Sequence, residues 1–266
     1  MPRTPPAFAG TIPENYERYM GPWIFEPYAV DMAGRLPAGA QAVLEIACGT
    51  GRVSAHLRKA LPAGARLVAT DLNADMISIA KQIVPDKGID WQTADAQALP
   101  FEDNSFDAVV CQFGLMFVPD KPKALREMRR VLKSGGRLLL GTWGKLEDNP
   151  AFYIADQVVS RYFPNDPPRF FHMPFSLHDD AELASLIKEA GFNSCTIHLV
   201  KKDCRSDSAA DSTRGMLEGS PVYTAIIERG AELLPAIKKD VEAELARRFG
   251  TAPMASPMQA WVAEAV

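Results

Sequence analysis

Three acidic residues and two glycines have the types and the spacing of a small-molecule binding site. Glu45 precedes a turn that contains Gly49 and Gly51, and Asp71 follows about 20 residues later. A carboxylate has two acceptor oxygens, which suit the vicinal hydroxyls of a ribose. Asp95 comes next and could accept from an exocyclic amine such as that of adenine. Each acid alone is also typical of a helix cap, so the inference of a nucleoside site depends on the whole series.

Two cofactors with an adenosine part fit this series, a nicotinamide dinucleotide and S-adenosylmethionine. A dinucleotide site requires G-x-G-x-x-G so that the pyrophosphate meets the start of the helix, and Ser54 stands at the third glycine position. Glu45 instead suits a ligand with a cationic amino group and no phosphates. Because an unpaired buried carboxylate is costly, Glu45 also predicts a partner that the chain does not supply. The pattern favours S-adenosylmethionine, with a nicotinamide-linked oxidoreductase as the alternative enzyme.

The elements that must position these residues follow from the hydrophobic pattern. Apolar, mostly branched runs predict buried strands that begin near residues 43, 66, 89, 106 and 137. Amphipathic helices are predicted over 52–61, after a cap at Asn73, and from Asp120 to a stop at Gly135 and Gly136. The order β-α-β-α-β-β-α-β predicts an α/β fold, a doubly wound Rossmann-like sheet with right-handed crossovers and helices on both faces. In such a sheet ligands bind at the carboxyl ends of the strands, where the acids stand.

The rest of the chain is predicted to form additions around this core. Residues 1–36 form an aromatic N-terminal flap, 37–144 the cofactor-binding core, and 145–178 an insertion over the carboxyl edge of the sheet. Residues 179–266 complete the sheet, with a helical insertion at 205–250. The flap rings either pack on the core or close over the ligand, and in the second case Tyr16 or Tyr19 would contact it.

Charge and cysteine spacing argue against several classes of function. The 266 residues carry a net charge of −4 without a long basic stretch, so nucleic acid is not an expected partner. The four cysteines show no metal-ligand or disulfide spacing, so no metal site is expected. No apolar run approaches the length of a membrane span, and the N-terminus lacks a signal-type apolar segment. We expect a cytoplasmic protein whose cysteines are reduced. A homodimer is possible on the sequence alone.

Four segments carry a resemblance to a known family: V-L-E-I-A-C-G-T-G at 43–51, V-A-T-D-L-N-A-D-M at 68–76, T-A-D-A-Q-A-L-P-F-E-D-N-S-F-D-A-V at 93–109, and L-R-E-M-R-R-V-L-K-S-G-G-R-L-L-L at 125–140. In this order they resemble the class I S-adenosylmethionine-dependent methyltransferases, particularly the small-molecule branch with the ubiquinone/menaquinone-biosynthesis C-methyltransferases. The resemblance implies a mostly parallel seven-stranded sheet whose last strand, at 258–265, is antiparallel. Ala47 replaces the first glycine of the family's E-x-G-x-G-x-G and should fit if its φ is negative.

The resemblance also implies roles for the residues that match the family's motifs. Glu45 would lie near the amino group of the methionine, and Asp71 would bind the ribose hydroxyls. The turn residues along the methionine and ribose would be Ala47, Gly49, Thr50 and Gly51. Residues around the adenine would be Leu72 and Met76 at its faces, with Asp95 and Ala96 at its amine. Gln112 and Phe113 would face the sulfonium and the acceptor.

The reaction implied is an in-line methyl transfer to a small, partly apolar acceptor, which leaves S-adenosylhomocysteine. Such chemistry can rest on positioning and desolvation, and a general base is needed only if the nucleophile keeps its proton. His172 in R-F-F-H-M-P-F is the candidate base, with packing among aromatic rings as its structural alternative. A non-catalytic protein that binds S-adenosylmethionine is the non-enzyme alternative.

Overall fold

A single seven-stranded sheet forms the centre of the molecule. The computed structural model describes residues 10–85 and 87–266, so the first nine residues of the predicted flap lie outside the described residues. The strand order is β3-β2-β1-β4-β5-β7-β6. The strands are β1 Ala42–Ile46, β2 Arg66–Asp71, β3 Ile89–Thr93, β4 Phe106–Gln112, β5 Leu132–Trp143, β6 Cys195–Ser206 and β7 Met254–Ala265.

Strands β1 to β5 are parallel, and β7 runs antiparallel between β5 and β6. This confirms the predicted fold class, including the antiparallel last strand. From β1 the chain adds β2 and β3 on one side of the sheet and then returns to add β4 and β5 on the other side. The position between β1 and β4 is therefore the topological switch point, where such sheets bind ligands. The functional residues at the ends of β1, β2 and β4 are therefore brought to one edge by the topology alone.

Helices cover both faces of the sheet because side chains along each buried strand alternate between two cores. Leu44 and Val109 belong to one apolar cluster, and Val43 and Val110 belong to the other. The helices are α1 Ile12–Asn15, α2 Glu26–Gly34, α3 Arg52–Ala60, α4 Ala74–Ile83, α5 Lys121–Val131, α6 Pro150–Tyr162, α7 Asp180–Glu189, α8 Ala209–Glu218, α9 Val222–Gly230 and α10 Leu234–Phe249. None of the helices in the described ranges is long and apolar enough to cross a bilayer.

Several predicted boundaries are wrong. Helix α5 ends at Val131 rather than at Gly135 and Gly136, because Leu132 already pairs with Phe106 of β4. Helix α6 lies inside the 145–178 insertion, where no helix was predicted. Strand β7 begins at Met254, before the predicted start at residue 258, because it pairs with β6 over twelve residues. The helices at 209–249 match the predicted helical insertion between these two strands.

Between α1 and α2 the chain forms a π-helix, Tyr16–Phe25, which we call the flap helix. The backbone N–H of Glu26 donates to the carbonyl of Gly21, five residues earlier, and Pro22 lies inside the segment. π-Helices are rare and frequently occur at functional sites. Trp23 and Tyr28 are 0% and 2% exposed, so core packing is the correct reading for these two rings.

Candidate functional site

A cavity of about 610 Å³ opens at the carboxyl ends of β1, β2 and β4. Its size lies within the range of small-molecule sites. The structure brings most of the predicted site residues together on its walls. Those that line the cavity are Tyr16, Ala47, Gly49, Asp71, Leu72, Met76, Asp95, Ala96, Gln112 and Phe113.

Every second residue of the glycine turn, from position 47 to position 51, has its backbone in the left-handed region. Gly49 and Gly51 have φ of 55° and 85°, and Ala47 has φ of 54°. The condition of a negative φ at Ala47 is therefore not met, and its left-handed backbone costs about 1–2 kcal/mol relative to the right-handed one. Gly51 does not line the cavity, because its α-carbon faces Trp91, whose ring would lie 2.8 Å from an added Cβ.

Asp71 connects the end of β2 to the glycine turn. Its Oδ2 accepts from the backbone N–H of Gly49 at 2.9 Å, and its Oδ1 accepts from the N–H of Asn73 at 2.8 Å. Burial raises the pKa of this carboxyl, and the backbone donors oppose that rise. The same carboxylate therefore holds the turn in shape and faces the cavity. Asp95 lies two residues beyond the end of β3, the next parallel strand, and accepts from the N–H of Gln97 at 2.8 Å.

Glu45 lies beneath the turn and does not line the cavity. It is 2% exposed, and its Oε2 accepts from the hydroxyl of Ser54 at 2.5 Å. Burial raises its pKa from 4.5 to about 8, and the charge of Asp71 adds to that rise. The predicted absence of an intrachain partner is wrong: Ser54, at the third glycine position of the motif, supplies one.

We expect the stability of the protein to depend on pH through Glu45. Its carboxyl has a folded-state pKa of about 8 against 4.5 unfolded, so its contribution is complete below pH 4.5 and is lost as pH rises toward 8. Over that window the free energy of unfolding falls by up to about 1.4 kcal/mol per pH unit. Glu45→Gln cannot ionise, so its Tm should fall less than that of the wild type between pH 6 and pH 8.

Thermal melts by circular dichroism at half-unit pH steps measure this difference. Glu102→Gln is the matched control because Glu102 is exposed. Parallel pH profiles for wild type and Glu45→Gln would contradict a buried carboxyl that titrates near pH 8.

Thr50 faces the flap helix instead of the cavity. Its hydroxyl donates to Glu17 Oε2 at 2.6 Å, and Arg52, two residues further on, pairs with Glu17 and with Glu26 at 3.0 Å. His56 pairs with the other oxygen of Glu26 at 2.7 Å. This network, which we call the flap network, ties the flap helix to the glycine turn and to the start of α3.

The two tyrosines of the flap helix lie in different places. Tyr16 stacks on Phe25 with ring centroids 4.7 Å apart and lines the cavity beside Gly49. Burial, together with the charges of Glu17 and Asp71, raises the pKa of its hydroxyl. Tyr19 lies outside the cavity, where its hydroxyl accepts from Arg214 of α8 at 3.3 Å. The structure therefore does not bring Tyr19 together with the other predicted site residues.

The part of the cavity beyond Gln112 is aromatic. Phe113 and Trp143 stack at 3.7 Å with their planes 7° apart, and Phe175 lies 6.2 Å from Trp143. The amide of Gln112 donates to the carbonyl of Phe25 at 3.5 Å, and its Oε1 is buried with no hydrogen-bond partner. Other rings on this wall are Phe25, Phe117, Phe152, Phe170 and Phe171. We call this region the acceptor half.

Several of these rings were not assigned to the site from the sequence. Trp143 is the last residue of β5, and Phe152 and Phe175 belong to the 145–178 insertion. The density of aromatic residues in that insertion was the available signal, since no periodic pattern placed them. His172, the predicted base, does not line the cavity and is 48% exposed at its side chain.

The described residues contain no group of three or more histidine, cysteine, aspartate or glutamate side chains that could hold a metal ion. The donors at the cavity instead suit an adenosyl ligand. Two carboxylates lie on neighbouring strand ends, and Gly49 leaves the backbone open beside Asp71. The residues present therefore fit S-adenosylmethionine.

Sheet order and cavity position define a Rossmann-like methyltransferase fold. The sequence profile described as "Methyltransferase domain" matches residues 44–140. The chain is 36% identical over 187 residues to the "Ubiquinone/menaquinone biosynthesis C-methyltransferase UbiE" of Hahella chejuensis, covering 65% of this chain and 74% of the relative. It is 32% identical over 189 residues to the protein of the same name from Klebsiella pneumoniae, covering 66% and 74%. The chain belongs to the class I S-adenosylmethionine-dependent methyltransferase family.

A solved structure shares the fold at lower sequence identity. Haemonchus contortus phosphoethanolamine N-methyltransferase 2, crystallised with phosphomonomethylethanolamine and S-adenosylhomocysteine, is 18% identical with a TM-score of 0.58. The match covers 96% of this chain and 56% of that one. The protein is a methyltransferase that uses S-adenosylmethionine and acts on a small molecule. None of these relatives favours a nicotinamide-linked oxidoreductase or a non-catalytic binding protein.

Proposed function

We propose that the protein methylates a small, planar, hydroxylated aromatic ring held in the acceptor half of the cavity. The observation that carries this proposal is the Phe113–Trp143 stack at 3.7 Å, which lies beside Gln112 at the end of β4. Stacked and edge-on rings favour flat apolar ligands over charged or aliphatic ones. The relatives named for ubiquinone and menaquinone biosynthesis support the same chemical class of acceptor.

We assign the cofactor to the other half of the cavity. Asp71 would accept from the ribose hydroxyls, and Asp95 would accept from the amine of adenine. Leu72 and Met76 would contact the faces of the adenine, beside Ala96. Gly49 would lie along the methionine, under Tyr16 of the flap helix. Thr50 and Gly51 would stabilise the conformation of the turn and would not contact the cofactor, because neither of them lines the cavity.

S-Adenosylmethionine supplies an electrophilic methyl group to this site. The rings of the acceptor half exclude water and orient the acceptor, while the free Oε1 of Gln112 can accept from an acceptor hydroxyl. Apart from Gln112 and Ser220, the described walls of the acceptor half carry apolar side chains. A ring with two hydroxyls suits such a site, because one hydroxyl can ionise in water so that the enzyme needs no base at the nucleophile, and the other keeps its proton and donates to Gln112 Oε1.

A panel of acceptors with labelled methyl donor tests this proposal. The panel contains 1,4-naphthoquinol, catechol and ethanolamine, and mass spectrometry with NMR locates the methyl group on carbon, oxygen or nitrogen. We expect label on one of the two hydroxylated rings. Trp143→Ala should abolish that labelling, because it removes one ring of the stacked pair. Turnover of ethanolamine with no label on either ring would contradict the aromatic acceptor.

We further propose that the protein works in a reducing compartment such as the cytoplasm, without nucleic acid. The four cysteines are all free thiols, which supports such a compartment. The net charge of −4 disfavours a phosphate backbone as a partner. A homodimer stays a hypothesis that light scattering would test.

A further inference from the structure

Residues 170–175 form a short segment over the acceptor half, which we call the aromatic cap. Phe171 and Phe175 are 1% and 3% exposed, and both line the cavity. Phe152 of α6 contacts both rings, with centroids 6.0 Å from Phe171 and 5.5 Å from Phe175. His172 lies between these rings in sequence, does not line the cavity and is half exposed. The cap thus has an apolar inner side and a histidine on its other side.

Asp156 is a buried carboxylate without a role in the chemistry assigned above. It follows Phe152 by one turn of α6, and its side chain is 4% exposed. Its Oδ1 lies 3.3 Å from Nε2 of His172, which is within ion-pair distance but lacks hydrogen-bond geometry. Burial raises the pKa of Asp156, while the charges of His172 and Arg169 oppose that rise. A carboxylate as deeply buried as that of Asp156 needs a cationic partner to remain ionised.

From this geometry we infer that the His172–Asp156 ion pair holds the aromatic cap closed over the acceptor half. His172 is then a positioning residue and not the general base. One side of α6 contributes Phe152 to the cavity, and the next turn contributes the carboxylate that fixes the cap. The pair thereby determines whether Phe171 and Phe175 exclude water from a flat apolar ligand. This inference rests on the proposed function, because it places the acceptor under the cap.

The test measures the two halves of the cavity separately. N-Phenyl-1-naphthylamine, an apolar aromatic dye, is titrated into protein saturated with S-adenosylhomocysteine, and S-adenosylhomocysteine binding is measured by calorimetry. If the cap is closed in only a tenth of His172→Gln molecules, the Kd of the dye rises about tenfold. The Kd of S-adenosylhomocysteine should stay unchanged. His172→Arg places a permanent positive charge beside Asp156 and should restore dye binding.

Asp156→Asn separates positioning from stability. His172→Gln removes the histidine beside a buried carboxylate and should lower Tm, whereas Asp156→Asn removes the buried charge itself and should lower Tm less. Both variants should weaken dye binding to a similar extent. His198→Gln is the matched control, since His198 is 46% exposed and also pairs with a carboxylate, Glu264, at 3.7 Å outside the cavity.

Hydrogen exchange of the peptide that covers residues 170–175 gives a second readout that needs no dye. Faster exchange in both cap variants, with the wild type and His198→Gln protected, is the expected result. Unchanged exchange and unchanged dye affinity in both variants would overturn the inference. So would an equal loss of dye and S-adenosylhomocysteine affinity, which marks general destabilisation. A wild type with a protected cap that binds S-adenosylhomocysteine but no dye would overturn the proposed apolar acceptor instead.

Discussion

Asp71→Ala is expected to raise the Kd for S-adenosylhomocysteine by about 10- to 100-fold, which corresponds to about 1.4–2.7 kcal/mol. The substitution removes the carboxylate assigned to the ribose hydroxyls. It also removes the acceptor that the backbone N–H of Gly49 uses at 2.9 Å, so the turn loses a support. Both losses act on cofactor binding. Isothermal titration calorimetry measures the change directly.

Asp71→Asn refines the interpretation because it retains one acceptor oxygen without the charge. We expect an intermediate Kd for this variant. Asp90→Ala is the control, since Asp90 is an exposed acid on the neighbouring β3 that does not line the cavity. Wild-type affinity in Asp71→Ala would refute the ribose assignment.

Arg52→Met is expected to speed dissociation of S-adenosylhomocysteine by about tenfold, which corresponds to about 1.4 kcal/mol. Arg52 is the centre of the flap network, where it pairs with both Glu17 and Glu26. Without it the flap helix, which carries Tyr16 over the cavity, loses its attachment to α3. Lids of this kind control ligand release and frequently limit turnover. Stopped-flow displacement measures the dissociation rate.

Arg35→Met provides a matched control for Arg52→Met. Arg35 also joins two carboxylates, Asp31 at 2.6 Å and Glu264 at 2.8 Å, and has nearly the same exposure, but these partners lie in α2 and β7, outside the flap helix. A similar loss of Tm in both variants with faster release only in Arg52→Met is the expected pattern. Equal release rates would contradict the flap role.

Gly21→Ala tests the flap role without removing a charge, because a Cβ at position 21 would overlap the guanidinium of Arg52. We expect it to speed release as well. Deleting residues 1–28 is less informative, since Trp23 and Tyr28 belong to the core. Wild-type release from Gly21→Ala would show that the flap helix tolerates displacement of Arg52.

The sequence predicted the positions of residues that the sheet itself places. Asp71 ends β2 and Gln112 ends β4, so the parallel topology brings them to one edge whatever the loops do. Asn73 and Asp120 were predicted as helix caps on local chemistry alone, and each accepts from a backbone N–H in the first turn of its helix. The strand ends follow from the order of the strands, and the caps follow from residues within the same few positions. Both kinds of information are present in a single sequence.

Side-chain direction within loops could not be predicted in the same way. Thr50 and Gly49 are neighbours, yet one faces the flap network and the other faces the cavity, because the left-handed turn rotates successive residues apart. The flap helix contains an exposed proline, Pro22, and its hydrogen bonds span five residues, a pattern that the α-helical spacing of apolar residues does not indicate. Helix α6 was missed although Phe152, Ala155 and Val159 have helical spacing, because the prolines and aromatics around it suggested irregular structure.

The residues Ala47 and Gly114 occupy adjoining loops, and a Cβ added to Gly114 would overlap the Cβ of Ala47. The loops after β1 and β4 are thus separated by the space of one methyl group. Consequently a side chain at either position is compatible only with glycine at the other. Exchanging the two, as Ala47→Gly with Gly114→Ala, should preserve folding where Gly114→Ala alone does not, so the two positions form one unit for any redesign of this enzyme.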